Sequence, residues 1–223
     1  MAKQIYFLFF YIVAFLVILT VSELLYKRVK ISSEITRKIS HLVSTLTSIS
    51  FLYIFDSHWF VFSLAILSFL LLFIGKLKHS FGSIENVSRQ TMGSYLLPVG
   101  IYLSFLISEL FGKPIVFMLP MLILAISDTS AGIIGLVYQL NDRKISVWRW
   151  VHGKSYAGSL TFLITALVIS YVTFVFYGYD FPEIVLLTLY ISFTATIIEL
   201  ISPFGSDNLS IPLVTSLILA YLT

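Results

Sequence analysis

The stretch IVFMLPMLILAISDTSAGIIGLVY, residues 115–138, decides the fold. It is long enough to cross a bilayer, which takes about 20 mostly apolar residues, and Asp128 is its one strongly ionisable side chain. A charge at that depth costs roughly 2.5–3.5 kcal/mol on insertion scales. A cation is therefore expected beside Asp128. Ala131, Gly132 and Gly135 follow at three, four and seven residues, on the same helix face. Such small residues let helices pack closely in a membrane, or let a phosphate group approach the backbone.

Outward from this stretch the chain remains apolar. It is 58% hydrophobic and 11% charged over 223 residues, with mean hydropathy +0.98, which excludes a soluble domain of this length. Eight apolar runs, near 5–25, 39–56, 59–75, 95–111, 115–137, 158–177, 184–202 and 209–222, predict an all-α, polytopic integral membrane helical bundle of seven to eight transmembrane helices. Residues 1–223 are read as one domain, and the first run as a retained span, since no small-x-small cleavage site follows it. There are no cysteines, hence no disulfides or thiolate sites.

Twelve of the fourteen Lys and Arg residues lie in three alternate loops: Lys27 to Lys38, Lys76 to Arg89, and Arg143 to Lys154. The positive-inside rule places those loops in the cytoplasm. The segment from Pro203 to Asn208 then lies on the same side. Basic loops also anchor membrane proteins to anionic lipid, so the charges orient the chain without assigning an activity. No nucleic-acid partner is expected.

Four polar constellations share that side. Arg37, Ser40, His41, Ser44 and Ser48 form a stripe entering the second span. Arg37 can grip phosphate oxygens in a planar fork and Lys38 can add a point charge, or both can snorkel to headgroups. His41 is a candidate base, a phosphate donor, or a residue packed between helices. Asp128 with Gly132 and Gly135 is the second constellation. The third runs from Asn141 to Ser159 and includes Arg143, Lys144, Arg149, His152, Lys154, Ser155 and Gly158. Cations and small hydroxyl residues at a helix start favour a polyanion. The triplet Gly153-Lys154-Ser155 is not a Walker motif, because the upstream glycine and strand are missing. Trp148 and Trp150 read as an interfacial belt. The fourth is a stripe of Thr188, Ser192, Thr196 and Glu199 leading to Asp207 and Asn208, oxygen ligands of the kind magnesium uses with substrate phosphates, or an ordinary Pro-Gly-Asp-Asn turn. The loop carrying Glu85, Asn86, Arg89, Gln90 and Thr91 could serve as a lid or a headgroup contact.

The ordered set Arg37-Lys38-x-x-His41, Asp128-x-x-Ala131-x-x-x-Gly135, Lys154-Ser155-x-x-Gly158-Ser159, Glu199, and Asp207-Asn208 before Pro212 resembles the CTP-dependent lipid kinases. That family comprises dolichol kinase, phytol kinase and the fungal type of diacylglycerol kinase, and the resemblance runs from about residue 34 to the end. It implies that Arg37 and Lys38 match the family's basic pair, Asp128 and Gly135 its nucleotide-binding acid and glycine, and Lys154 its later basic position. It also implies CTP as phosphoryl donor, a divalent metal such as Mg2+, and a membrane lipid alcohol of polyprenol, phytol or diacylglycerol type as acceptor. Ala157 stands where the family often has an acid, and the short chain fits the phytol kinase type best. On this reading Asp128, Lys38, Arg37 and His41 are catalytic. Gly132, Gly135, Lys144, Lys154, Ser155 and Gly158 hold the nucleotide, and Asp128, Glu199, Asp207 and Asn208 hold metal, all at the cytoplasmic side. The Asp128 to Gly158 region is also similar to phosphatidate cytidylyltransferases, whose C-terminal Lys-Asp and His-Gly-Gly signature is absent. An ion-coupled transporter using Asp128 and Glu199 is the alternative from another class, though no inverted repeat is visible.

Overall fold

The computed structural model describes residues 2–78, 80–86, 91–138, 144–145 and 154–223. Its helices are α1 (Ala2–Lys27), α2 (Ser33–Ile49), α3 (Phe51–Ile54), α4 (His58–Leu77), α5 (Gly82–Glu85), α6 (Gly93–Phe111), α7 (Ile115–Leu122), α8 (Thr129–Val137), α9 (Tyr156–Phe176), α10 (Phe181–Ile201) and α11 (Asp207–Leu222). A π-helical stretch, Ile123–Asp128, joins α7 to α8. Two-residue strands β1 (Lys144–Ile145) and β2 (Lys154–Ser155) pair antiparallel, Lys144 opposite Ser155. The all-α membrane bundle is thus present.

Among the described residues, six helices are long and apolar enough to cross a membrane: α1, α4, α6, the composite 115–137, α9 and α10. The other two expected spans are shorter. α11 has 16 residues, and α2 has 17 and a strongly polar face. α2 continues into α3 after a bend at Ser50, whose hydroxyl turns back to the Thr47 carbonyl. Its polarity is inverted relative to a soluble helix: Thr36, Arg37, Lys38, Ser40, His41, Thr45 and Ser48 are buried, while Ile35, Val43 and Leu46 are exposed. Apolar side chains outside and polar ones inside suit a lipid surround, where buried hydroxyls must be satisfied within the protein. Ser40, Thr45 and Ser48 donate to carbonyls of their own helix.

The composite span 115–137 is the most enclosed of the six and packs against α2, α6, α9 and α11. Val116, Phe117, Leu119, Met121, Ile123 and Leu124 are fully buried there. At the chain reversal before α11, Phe204 and Gly205 have φ of 51° and 81°, and the Phe204 carbonyl accepts from Met92 N–H at 2.8 Å. A side chain on Gly205 would meet the Gly93 backbone, so glycine is needed for both reasons. The candidate residues Arg89, Gln90, Asn141, Arg143, Trp148, Arg149, Trp150, His152 and Gly153 lie outside the described residues, and of Lys144 only the strand pairing is described.

Candidate active site

Asp128 closes the π-helical stretch in the middle of the bundle. Its counter-charge is Lys38: Nζ lies 2.6 Å from Asp128 Oδ2 and donates also to the Asp128 carbonyl at 3.1 Å. The cation expected beside Asp128 is therefore supplied by α2 itself. Both groups are buried, and a buried pair holds together only when geometry and hydrogen bonding are good. His41, one turn along α2, has Nε2 3.6 Å from the same carboxylate oxygen and 3.2 Å from the Leu124 carbonyl. A carbonyl can only accept, so Nε2 carries the hydrogen and Nδ1 is the basic nitrogen. π-Turns gather at functional sites, and here two carbonyls of that turn, Leu124 and Asp128, accept from α2.

Lys154, the first residue of β2, forms the second cluster. Its ammonium donates to Glu199 Oε1 and, at 3.1 Å, to Asp207 Oδ2. Burial works against its charge, but the carboxylates of Asp207, Glu199 and Asp128 outweigh that and hold it well above the ordinary lysine range. Asp128 thus acts electrostatically on both lysines, and α2, α8, α9, α10 and α11 meet around one charged centre.

The small residues make that centre possible. A side chain on Gly132 would collide with the terminal methylene and ammonium of Lys38, so the bare backbone there is the slot through which Lys38 reaches Asp128. A side chain on Gly158 would press on the Ala131 carbonyl, and one on Gly135 on Ser155 Oγ; both mark the close approach of α8 and α9. Ser155 caps α9, accepting from Gly158 N–H at 3.0 Å. Asn208 donates through its amide to the Gly93 carbonyl at 2.8 Å, tying α11 to the start of α6. Arg37 pairs with Glu34 at 3.2 Å, and its Nε is buried without a partner among the described residues.

No three Asp, Glu or His side chains among the described residues form a ready metal cage. Asp128 is engaged by Lys38, while Glu199 and Asp207 share Lys154. Yet Glu199 Oε2, Ser127 Oγ, Thr129 Oγ1 and Ser159 Oγ are buried without partners among the described residues. Magnesium that arrives on phosphates asks a protein for only one or two carboxylates, and the orphaned Glu199 oxygen fits that demand.

Beside this centre lies a feature that sequence reasoning missed, a cavity of about 600 Å³ between α1, α2, α4 and α6. Arg37, Ser40, His41, Ser44, Ser68, Ser94 and Asn208 furnish its polar lining, and the remaining wall is apolar. His41 belongs to both, touching Asp128 and facing the cavity. The seven-residue spacing of Leu64, Leu71 and their neighbours on α4 reads simply as a packed face; nothing in it announces a void. The pairing of Lys38 with Asp128 was missed as well, although a lone intramembrane acid and a basic pair entering another span are a usable signal.

Among known proteins, the chain is 27% identical over 212 residues to a protein named phytol kinase from Synechocystis sp., covering 91% of this chain and 84% of that one. It is 38% identical over 111 residues to an uncharacterized protein of Rickettsia prowazekii, covering 49% of each. No family model matches the chain, and no solved structure matches it significantly.

Proposed function

We propose that the protein is a membrane lipid kinase that transfers the γ-phosphoryl group of CTP to the hydroxyl of a lipid alcohol at the cytoplasmic side of the bundle. The observation that carries this reading is His41, which touches the Asp128 carboxylate and also lines an apolar cavity of lipid-tail dimensions. Likeness to the cyanobacterial phytol kinase across nearly the whole chain supports it.

Phosphoryl transfer asks a protein mainly for positioning and charge neutralisation. The lipid hydroxyl sits at the polar lining of the cavity, where His41 Nδ1 accepts its proton as the new O–P bond forms and the bond to the CDP leaving group breaks. Arg37 and Lys154 hold phosphate oxygens. Lys38 is committed to Asp128, so its role is to keep that carboxylate charged and in place. Glu199 and Asp207, with Asp128 and Asn208 beside them, are the residues that would hold Mg2+. When bound, the metal neutralises charge on the phosphates. The buried, partly orphaned hydroxyls of Ser127, Thr129 and Ser159 provide hydrogen-bond donors for the same phosphates.

Purified protein supplied with magnesium, γ-labelled CTP and a lipid alcohol should place label in the lipid and release CDP. Label found only in pyrophosphate, and dependent on an added lipid phosphate, would instead assign a cytidylyltransferase. Ion-driven uptake into vesicles without either product would assign a transporter.

A further inference from the structure

The cavity has a measurable depth and a closed end. Arg37 and Phe51 line it from α2 and α3, and Val61 and Gly75 from α4, each pair fourteen positions apart. At about 1.5 Å per residue, both helices give a depth of about 21 Å. The end away from Arg37 is a block of rings. Phe51, 1% exposed, meets Tyr11 edge-on at 4.9 Å and Phe55 at 5.4 Å, and Phe55 stacks on Phe60 at 5.9 Å. That block is pinned to α1 by the Tyr11 hydroxyl on Ser50 Oγ at 2.6 Å, and by Gln4 donating to the Ile54 carbonyl at 3.0 Å. Rings locked on two sides do not swing aside as an isolated Phe would.

We infer that Phe51, backed by Tyr11 and Phe55, is the stop that sets the length of hydrocarbon this protein accepts, and that the cavity takes one chain and not two. This rests on the lipid-alcohol reading above. An extended chain advances about 1.2 Å per main-chain bond, so 21 Å of depth accommodates about 17 bonds. A methylene takes roughly the room of a water molecule, about 30 Å³, so the cavity volume holds about 20 carbons. The two figures agree on a single chain of about 16–18 carbons end to end carrying a few methyl branches. A second chain of that length would need about twice the volume. Entry is lateral: Leu67, Leu70 and Ile74 line the cavity yet are exposed on α4, so a lipid can slide in from the bilayer with its hydroxyl toward His41.

The test uses the full-length protein in nanodiscs and a ladder of all-trans prenols rising one isoprene unit at a time, with diacylglycerol alongside. Phosphorylation should fall off beyond one length and be weak for diacylglycerol. Phe51→Ala should favour the next longer prenol by about tenfold, the lower end of what a methylene-sized change does in an apolar pocket. Phe51→Leu provides a milder version should the alanine variant fold poorly. Ala65→Phe, which fills the cavity midway, should shift the optimum shorter. A prenol bearing a diazirine at its far end should label the peptide from Phe51 to Val61 whether or not any donor is present. Labelling there without phosphorylation would remove the kinase reading and leave the stop standing. Labelling elsewhere, equal use of diacylglycerol, or a length profile unmoved in both Phe51→Leu and Ala65→Phe would overturn the inference.

Discussion

Lys38 Nζ rests 2.6 Å from Asp128 Oδ2, joining residues 90 positions apart through the gap left by Gly132. Neither charge is tenable alone at that depth, so each is the condition for the other.

Removing one partner of a buried pair typically costs about 3–5 kcal/mol, because the other charge is left uncompensated. Lys38→Met and Asp128→Asn should each lower the thermal midpoint in detergent and abolish turnover. The double variant Lys38→Met with Asp128→Leu should recover much of the stability and none of the activity. A double variant no more stable than the singles would mean that the pair does not act as a unit.

Gly132→Ala should behave as a weaker copy of Lys38→Met, since the added methyl occupies the path of the lysine. Ile133→Ala, on the exposed side of the same helix, should change little. Expression, thermal midpoint and turnover measured together compare the two directly.

His41→Gln keeps a side-chain donor near the Leu124 carbonyl but lacks a basic nitrogen. Its kcat should drop by about 10²–10⁴, the usual worth of a general base, with KM for the lipid nearly unchanged. A loss confined to KM would make His41 a binding residue only.

For Lys154 the sign of the pH dependence is defined. Its charged form is favoured in the folded protein, so its contribution is complete below the ordinary value of 10.5 and fades only as pH climbs beyond it. Activity should therefore show no alkaline limb from this group between neutrality and pH of about 9. In Lys154→His the charge depends on an imidazole, and the alkaline limb should move down by several pH units. A pH–rate profile for the two proteins decides the matter, and an unshifted limb in the variant would separate Lys154 from phosphate binding.

Cysteines placed singly at Ser80 and Ser206 should react with an impermeant thiol reagent only from the cytoplasm, and one at Ser57 only from outside. Labelling of Ser57 and Ser206 from the same side would invert the proposed position of the site.

Much of the site was legible residue by residue. Asp128 and Glu199 stand out because charges in apolar surroundings need a reason, and Lys38, Lys154 and Asp207 because they fall in the ordered set that carries the resemblance. Their partners were not legible, since Lys38 with Asp128 and Lys154 with Glu199 are products of helix packing between distant segments. Gly132 illustrates the limit: as sequence it allowed helix packing or phosphate approach, and its neighbour in the fold is the Lys38 side chain. The polar stripe of α2 followed from periodicity, and the long spans from the length of their apolar runs. Neither the π-turn before Asp128 nor the cavity has a signature of its own, because one is a single extra residue in a helical turn and the other is the absence of atoms.

The inverted polarity of α2 has a consequence for the surrounding lipid. Ile35, Val43 and Leu46 stand exposed while Arg37, Lys38 and His41 are buried, so the helix offers the acyl chains a hydrocarbon edge and keeps its charges for the interior of the bundle. Its polar face is solvated by the protein rather than by water, and the same segment released from the bundle would lose that solvent.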